Sequence, residues 1–262
     1  MSTDLPGAAL RPVNFTRLDG LDLKALYHSK RCGGDFFDVV AAGSRAIFLL
    51  TDISGQRSES CLLAATVQNI FRKRAVDLFE SPSANESDAI AELAHDVNRS
   101  LIEAAQGVRY APAFLGCFNL PLGVLTYHNA GRLLAIFRDK ESSRVLDSGG
   151  IPLGLFTHIT YEPAVLAFEP QAKLLLVTKG VTESQRGGTE FGAERVEQIL
   201  ENSASDSAAE ICDAVLREAY DFGNSSWSRI YDLLHPGKQH NHDDLTAMAL
   251  IRTPLAGKPV IS

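Results

Sequence analysis

Apolar residues in this chain follow two rhythms. Residues 46–51, Ala-Ile-Phe-Leu-Leu-Thr, are apolar with almost no break, the pattern of a strand buried on both faces. The run ends in Asp52-Ile53-Ser54-Gly55. From 58 to about 78 the spacing becomes helical, with Leu62, Leu63, Val67, Ile70, Phe71 and Val76 marking the apolar positions. Arg72-Lys73-Arg74 then reads as a solvated helix face. A second helix is predicted from 87 to about 105, with Asp88 at its start and Ile90, Leu93, Val97 and Leu101 along its face.

The middle of the chain returns to short apolar runs. Residues 113–120 and 123–129 read as a hairpin around Leu120-Pro121-Leu122-Gly123. Strands follow at 132–139, 144–147, 164–168 and 173–178, separated by Gly and Pro turns. Helices resume at 193–201 and 208–220, and a last strand at 245–252 closes the pattern. This is an α+β chain. The strands at 46–51 and 245–252 must pair with the meander if the acids at their ends are to meet. One domain is predicted over 21–256, after a flexible lead-in at 1–20. A loop insertion carrying Trp227 is expected at 223–242.

Bulk properties narrow the function classes. The 262 residues suffice for a sizeable core. A net charge of −7 gives no sign of a nucleic-acid surface. Cys32, Cys61, Cys117 and Cys212 are scattered, with no zinc or redox spacing, and read as reduced thiols. No secretory pattern and no membrane-length apolar run is visible, so a soluble cytoplasmic protein without membrane contacts is expected.

The chemistry lies in acids at the edges of apolar runs: Gly33-Gly34-Asp35-Phe36-Phe37-Asp38, Thr51-Asp52-Ile53-Ser54-Gly55 and Asp243-Asp244-Leu245-Thr246. Carboxylates converging from distant strand ends build oxygen-ligand sites for hard cations such as Mg²⁺ or Mn²⁺. A fourth run, 174–183, carries Lys179 in the corresponding place. Each acid also has a plainer reading. Asp35 and Asp38 could cap a turn, Asp52 could cap the following helix, and Asp243-Asp244 could be a solvated pair. His235, His240 and His242 are too irregularly spaced for zinc. His128 reads as a packed or surface residue, and Cys61 and Cys117 as core.

Taken in order, these motifs resemble the SpoIIE/RsbU-type branch of the metal-dependent, protein phosphatase 2C-like phosphatases. The other carriers are Asn129-Ala130-Gly131, Gly150-Ile151-Pro152-Leu153-Gly154-Leu155 and Gly180-Val181-Thr182-Glu183 with Phe191-Gly192, so the likeness spans about 27–252. The resemblance implies a four-layer α/β/β/α sandwich, with two mostly antiparallel central sheets flanked by helix pairs. It implies hydrolysis of phosphoserine or phosphothreonine by metal-activated water, with two Mn²⁺ or Mg²⁺ ions. The implied substrate is a phosphorylated regulatory protein such as an anti-sigma-factor antagonist, and a homodimer is compatible with it.

Carried over by position, Asp52 bridges two metals, the Ile53 backbone carbonyl and Asp35 serve the first, and Asp243 serves the second. Asp52, Asp35 and Asp243 are thus the catalytic set, with Asp38 and Asp244 as outer supports. Arg31 is either a phosphate contact or a plain surface arginine. Lys179 stands where the family has a metal-ligand aspartate. At an effective dielectric of about 20 and about 4 Å, its charge repels a dication by roughly 8 kcal/mol before relaxation. The expectation is reduced activity with a weakened or replaced second metal. The alternative is an inactive pseudophosphatase serving as a binding module.

Overall fold

The computed structural model describes residues 18–28, 34–55, 57–105, 110–147, 149–224 and 244–254. In chain order these form β1 (Leu21–His28), β2 (Asp35–Ala42), β3 (Arg45–Asp52), α1 (Arg57–Phe79), α2 (Glu86–Ala104), β4 (Ala113–Asn119), β5 (Val124–Ala130), β6 (Leu134–Arg138) and β7 (Ser143–Val145). Then come β8 (Ala164–Ala167), β9 (Lys173–Val177), α3 (Lys179–Thr182), β10 (Gln185–Arg186), β11 (Thr189–Glu190), α4 (Gly192–Asn202), α5 (Ala208–Gly223) and β12 (Leu245–Arg252). The chain folds into two compact units, each assembled from separated segments.

The first unit holds a five-stranded sheet in the order β2-β3-β4-β5-β8, antiparallel throughout. The unbroken apolar run of β3 is buried along both faces, as its pattern predicts. Ile47 and Leu49, joined by Phe36, Leu115 and Cys117, pack beneath α1 and α2 through Leu63, Val67, Phe71, Ile90, Leu93 and Val97. The opposite face carries Phe48, Phe114 and Tyr127, whose rings stack at 6.1 and 5.2 Å. The start of α2 is capped by Asn85, whose side chain accepts from the Ser87 and Asp88 N–H groups. Asp88 therefore lies inside the first turn.

Arg72 and Arg74 correct the reading of 72–74 as a solvated face. Only Lys73 is exposed. Arg72 binds the fully buried Asp38 on β2 at 2.6 Å. Arg74 joins α1 to α2 through Asp96 at 2.5 Å. Arg45 ties the ends of both helices to β3: it binds Glu86 at 2.6 Å and donates to the carbonyls of Phe79, Ser81 and Pro82.

The second unit holds a sheet in the order β1-β12-β9-β6-β7, also antiparallel. One face packs on α4 and α5, with Leu175, Val177, Ala247 and Ala249 meeting Val196, Leu200, Ile211, Val215 and Ala219. The strands at both ends of the expected meander do pair with it, β3 with β4 and β12 with β9. Strands β1 and β2 are additions to the predicted pattern, and so is the single turn of α3. No helix among the described residues is long and apolar enough to cross a membrane.

Candidate functional site

The register of β2 on β3 decides which acids meet. Asp35 sits directly opposite Asp52, while Asp38 sits opposite Leu49. Side chains alternate along a strand, so Asp35 and Asp52 share one face and Asp38 projects from the other, toward the helices. Its carboxylate is held there by Arg72 and by the Val39 N–H. This corrects the expectation that Asp38 supports a metal beside Asp35: the residue anchors α1 instead. The turn reading of Asp38 fails with it, since Asp38 lies inside the strand.

The backbone around Asp52 is fixed from two sides. The Asp52 N–H donates to the Pro112 carbonyl at 3.0 Å, and Ser54 exchanges bonds with Tyr110 through its N–H and hydroxyl. The Ile53 N–H donates to the Gly34 carbonyl at 2.8 Å. Gly34 lies so close to the Ile53 carbonyl that a Cβ would come within 1.9 Å of that oxygen. Only glycine fits. The buried Ser60 hydroxyl also reaches the Ile53 oxygen, at 3.4 Å. Neither Gly34 nor Ser60 was singled out from sequence as a support for Ile53, although the Gly-Gly before Asp35 carried the signal.

Two carboxylates directly opposite on one strand pair repel unless a cation lies between them. Asp35 and Asp52 with the neighbouring Ile53 carbonyl form an all-oxygen donor set, which suits Mg²⁺ or Mn²⁺. Among the described residues no group of three His, Cys, Asp or Glu side chains forms a metal cluster. Asp243 and Arg31 lie outside the described residues, as do His235, His240, His242 and Trp227.

In the second unit, Lys179 opens α3 just after β9. The preceding Thr178 is buried and locked to β12: its N–H donates to the Thr246 carbonyl at 3.1 Å, and its hydroxyl accepts from the Thr246 N–H at 3.2 Å. Lys179 thus lies at the same end of the sheet as Asp244, which is buried immediately before β12. The Lys179 ammonium pairs with Glu183 at 3.2 Å, one helical turn along the same motif.

The remaining motifs are scaffold. Asn129 closes the turn after β5 by bonding the Leu133 carbonyl and N–H. The loop at 149–154 joins the sheet through the bridges Ala130–Gly150 and Ala111–Leu153. His128 is buried against Tyr161, and desolvation lowers its pKa, partly offset by the Glu162 carbonyl. Burial raises the Cys117 thiol and pushes Cys212 up to about 12, so neither is a thiolate at neutral pH. Cys61 is half-buried rather than core.

No curated protein matches the chain. Among solved structures it resembles the RsbU and RsbW domains of Rv1364c from Mycobacterium tuberculosis, with 20% identity, 92% of this chain and 63% of that chain covered, and a TM-score of 0.68. It also resembles the PP2C phosphatase domain and regulatory-domain fragment of SpoIIE from Bacillus subtilis, at 14% identity, covering 88% and 63%, with a TM-score of 0.69. RsbX in complex with magnesium matches at 17% identity, covering 88% and 93%, with a TM-score of 0.58. The chain therefore spans less than two thirds of the first two. The shared feature is the α+β PP2C fold, with its antiparallel sheets and their helices. The family model for Stage II sporulation protein E (SpoIIE) matches residues 42–253, most of the chain, which belongs to the SpoIIE family.

Proposed function

We propose that this protein is a metal-dependent protein serine/threonine phosphatase of the SpoIIE/RsbU type whose activity is reduced by Lys179. The observation that carries the reading is the facing pair Asp35 and Asp52 beside the Ile53 carbonyl. These three groups would hold one Mn²⁺ or Mg²⁺, and RsbX, a structural neighbour, was solved with magnesium. The bound cation supplies charge neutralisation at phosphoryl oxygens and water that ionises near neutral pH. The chain's own part is positioning: the β2–β3 register sets the two carboxylates, and Gly34 leaves the Ile53 carbonyl room.

In the family pattern Asp243 and the residue at 179 belong to the second metal beside the bridging Asp52, so this chain offers one further acid and one ammonium for it. The proposed substrate is a phosphoserine or phosphothreonine on a regulatory partner of the anti-sigma-factor-antagonist kind. That RsbU and RsbW domains occur together in a neighbour supports this choice.

The ion pair of Lys179 with Glu183 favours a second reading, in which the ammonium is engaged within its own motif and the protein binds its phosphorylated partner without turnover. Calorimetric titration separates the two. We expect the parent protein to take up one equivalent of Mn²⁺ and hydrolyse p-nitrophenyl phosphate slowly. Lys179→Asp should add a second equivalent and raise turnover tenfold or more. A parent that binds no Mn²⁺ favours the binding module. A Lys179→Asp variant unchanged in both stoichiometry and rate removes position 179 from the metal site.

A further inference from the structure

Away from the acids, the second unit gathers two arginines on one ring. The Arg186 guanidinium lies 4.4 Å from the centre of the Phe222 ring, and that of Arg195 lies 4.8 Å from it. Phe222 is buried at the end of α5 and is also packed edge-on by Phe191. The two cations therefore share one aromatic support in a chain of net charge −7.

Other arginines of this chain meet carboxylates: Arg45, Arg72, Arg74, Arg99 and Arg217 all do. Arg186 and Arg195 make no ion pair among the described residues. Arg195 donates only to backbone, from Nη1 to the carbonyls of Glu190 and Phe191 at 2.9 and 2.5 Å. Its remaining N–H groups, and all five of exposed Arg186, have no protein acceptor among the described residues.

Both side chains are also pre-positioned. Arg186 closes the β10–β11 hairpin opposite Thr189. The turn between them is Gly187-Gly188, with φ of +59° and +84°, the left-handed pair that a two-residue hairpin demands. The hairpin hangs from the Lys179 motif: the Phe191 N–H donates to the Ser184 carbonyl, and the Ser184 hydroxyl donates to the Gly180 carbonyl. Guanidinium groups stacked on a ring and fixed by backbone lose little freedom when they engage a planar anion.

We infer that Arg186 and Arg195, braced on Phe222, form an anion-binding site for an acidic segment of a partner protein. A carboxylate or phosphate can take a guanidinium fork, and neighbouring acids of the same segment gain from the second arginine's charge. The site rests on the phosphatase reading only for the identity of its occupant.

The test is fluorescence anisotropy on the full chain in EDTA, which keeps any metal-dependent hydrolysis out of the signal. The probes are a labelled phosphoserine peptide flanked by Asp and Glu, the same peptide with Ser and Gly flanks, and an oligonucleotide of equal charge. The acidic peptide should bind best, with an affinity that falls as salt rises. Arg186→Gln should weaken it about fivefold and Arg186→Glu by more, with thermal unfolding unchanged. Equal binding by parent and Arg186→Glu, equal binding of both peptides, or tighter binding of the oligonucleotide would each overturn the inference. A failure of the phosphatase reading shows separately, as no p-nitrophenyl phosphate turnover by the parent with Mn²⁺.

Discussion

Asp35 and Asp38 lie three residues apart on one strand, and that odd spacing sends them to opposite faces of the sheet. The two carboxylates consequently do different jobs. Asp38 is fully buried and held by Arg72, which keeps partial access to water. Asp38→Asn should cost about 2 kcal/mol in urea unfolding, because the asparagine still accepts the Val39 N–H but no longer balances Arg72. Its Mn²⁺ affinity should stay within about twofold of the parent. Asp35→Asn should lower Mn²⁺ affinity tenfold or more and disturb the fold less. If Asp38→Asn loses metal while Asp35→Asn keeps it, the assignment of the two faces is reversed. Sequence placed both acids in one motif and favoured Asp35 as the ligand only through the family resemblance, since parity has meaning only once β2 is known to be a strand. The same limit hid the roles of Gly34 and Ser60, which depend on where the Ile53 carbonyl comes to rest.

At the scale of elements, the long helices and most strands were readable, the short β7 and β8 among them, while β1, β2, α3 and the β10–β11 hairpin were not. The helices α1, α2, α4 and α5 follow from apolar residues at helical spacing, and β3 and β12 from unbroken apolar runs. Strand β1 escapes because only Leu21 and Ala25 of its eight residues are fully buried, which leaves a weak pattern. The four residues of α3 continue an apolar strand run and give no period to detect. Yet β1 does specific work for a distant helix. Ser207, the capping residue of α5, makes no side-chain cap bond, and the Asp22 carboxylate accepts the Ala208 N–H instead, at 2.8 Å. An acid at a helix start stabilises through this bond and through the helix dipole. Asp22→Ala should therefore cost about 1 kcal/mol, and Asp22→Asn less, in chemical denaturation. Equal losses from both would assign the effect to charge rather than to the cap bond.

Across the whole molecule, the path of the chain makes its first described strand depend on its last. The second unit draws on residues near both ends of the described chain and on a segment between them. Its sheet places β12 between β1 and β9, with Leu21 opposite Arg252 and His28 opposite Leu245. Such a pairing closes a very long loop and repays its entropy only when the full ladder is made. Without β1, strand β12 becomes an edge, its N–H and C=O groups lose their partners, and α5 loses both the Asp22 cap and the Cys212 contact to the Lys24 carbonyl. Removal of residues 1–28 should therefore abolish cooperative unfolding of this unit, read as loss of near-ultraviolet circular dichroism and gain of dye binding. A truncated chain that melts within a few degrees of the parent would show that β12 and β9 hold the sheet without β1. The weak apolar pattern of β1 gives no sign of this role, whereas the ladder makes it the partner on which the buried Asp244–Leu245 end of β12 relies.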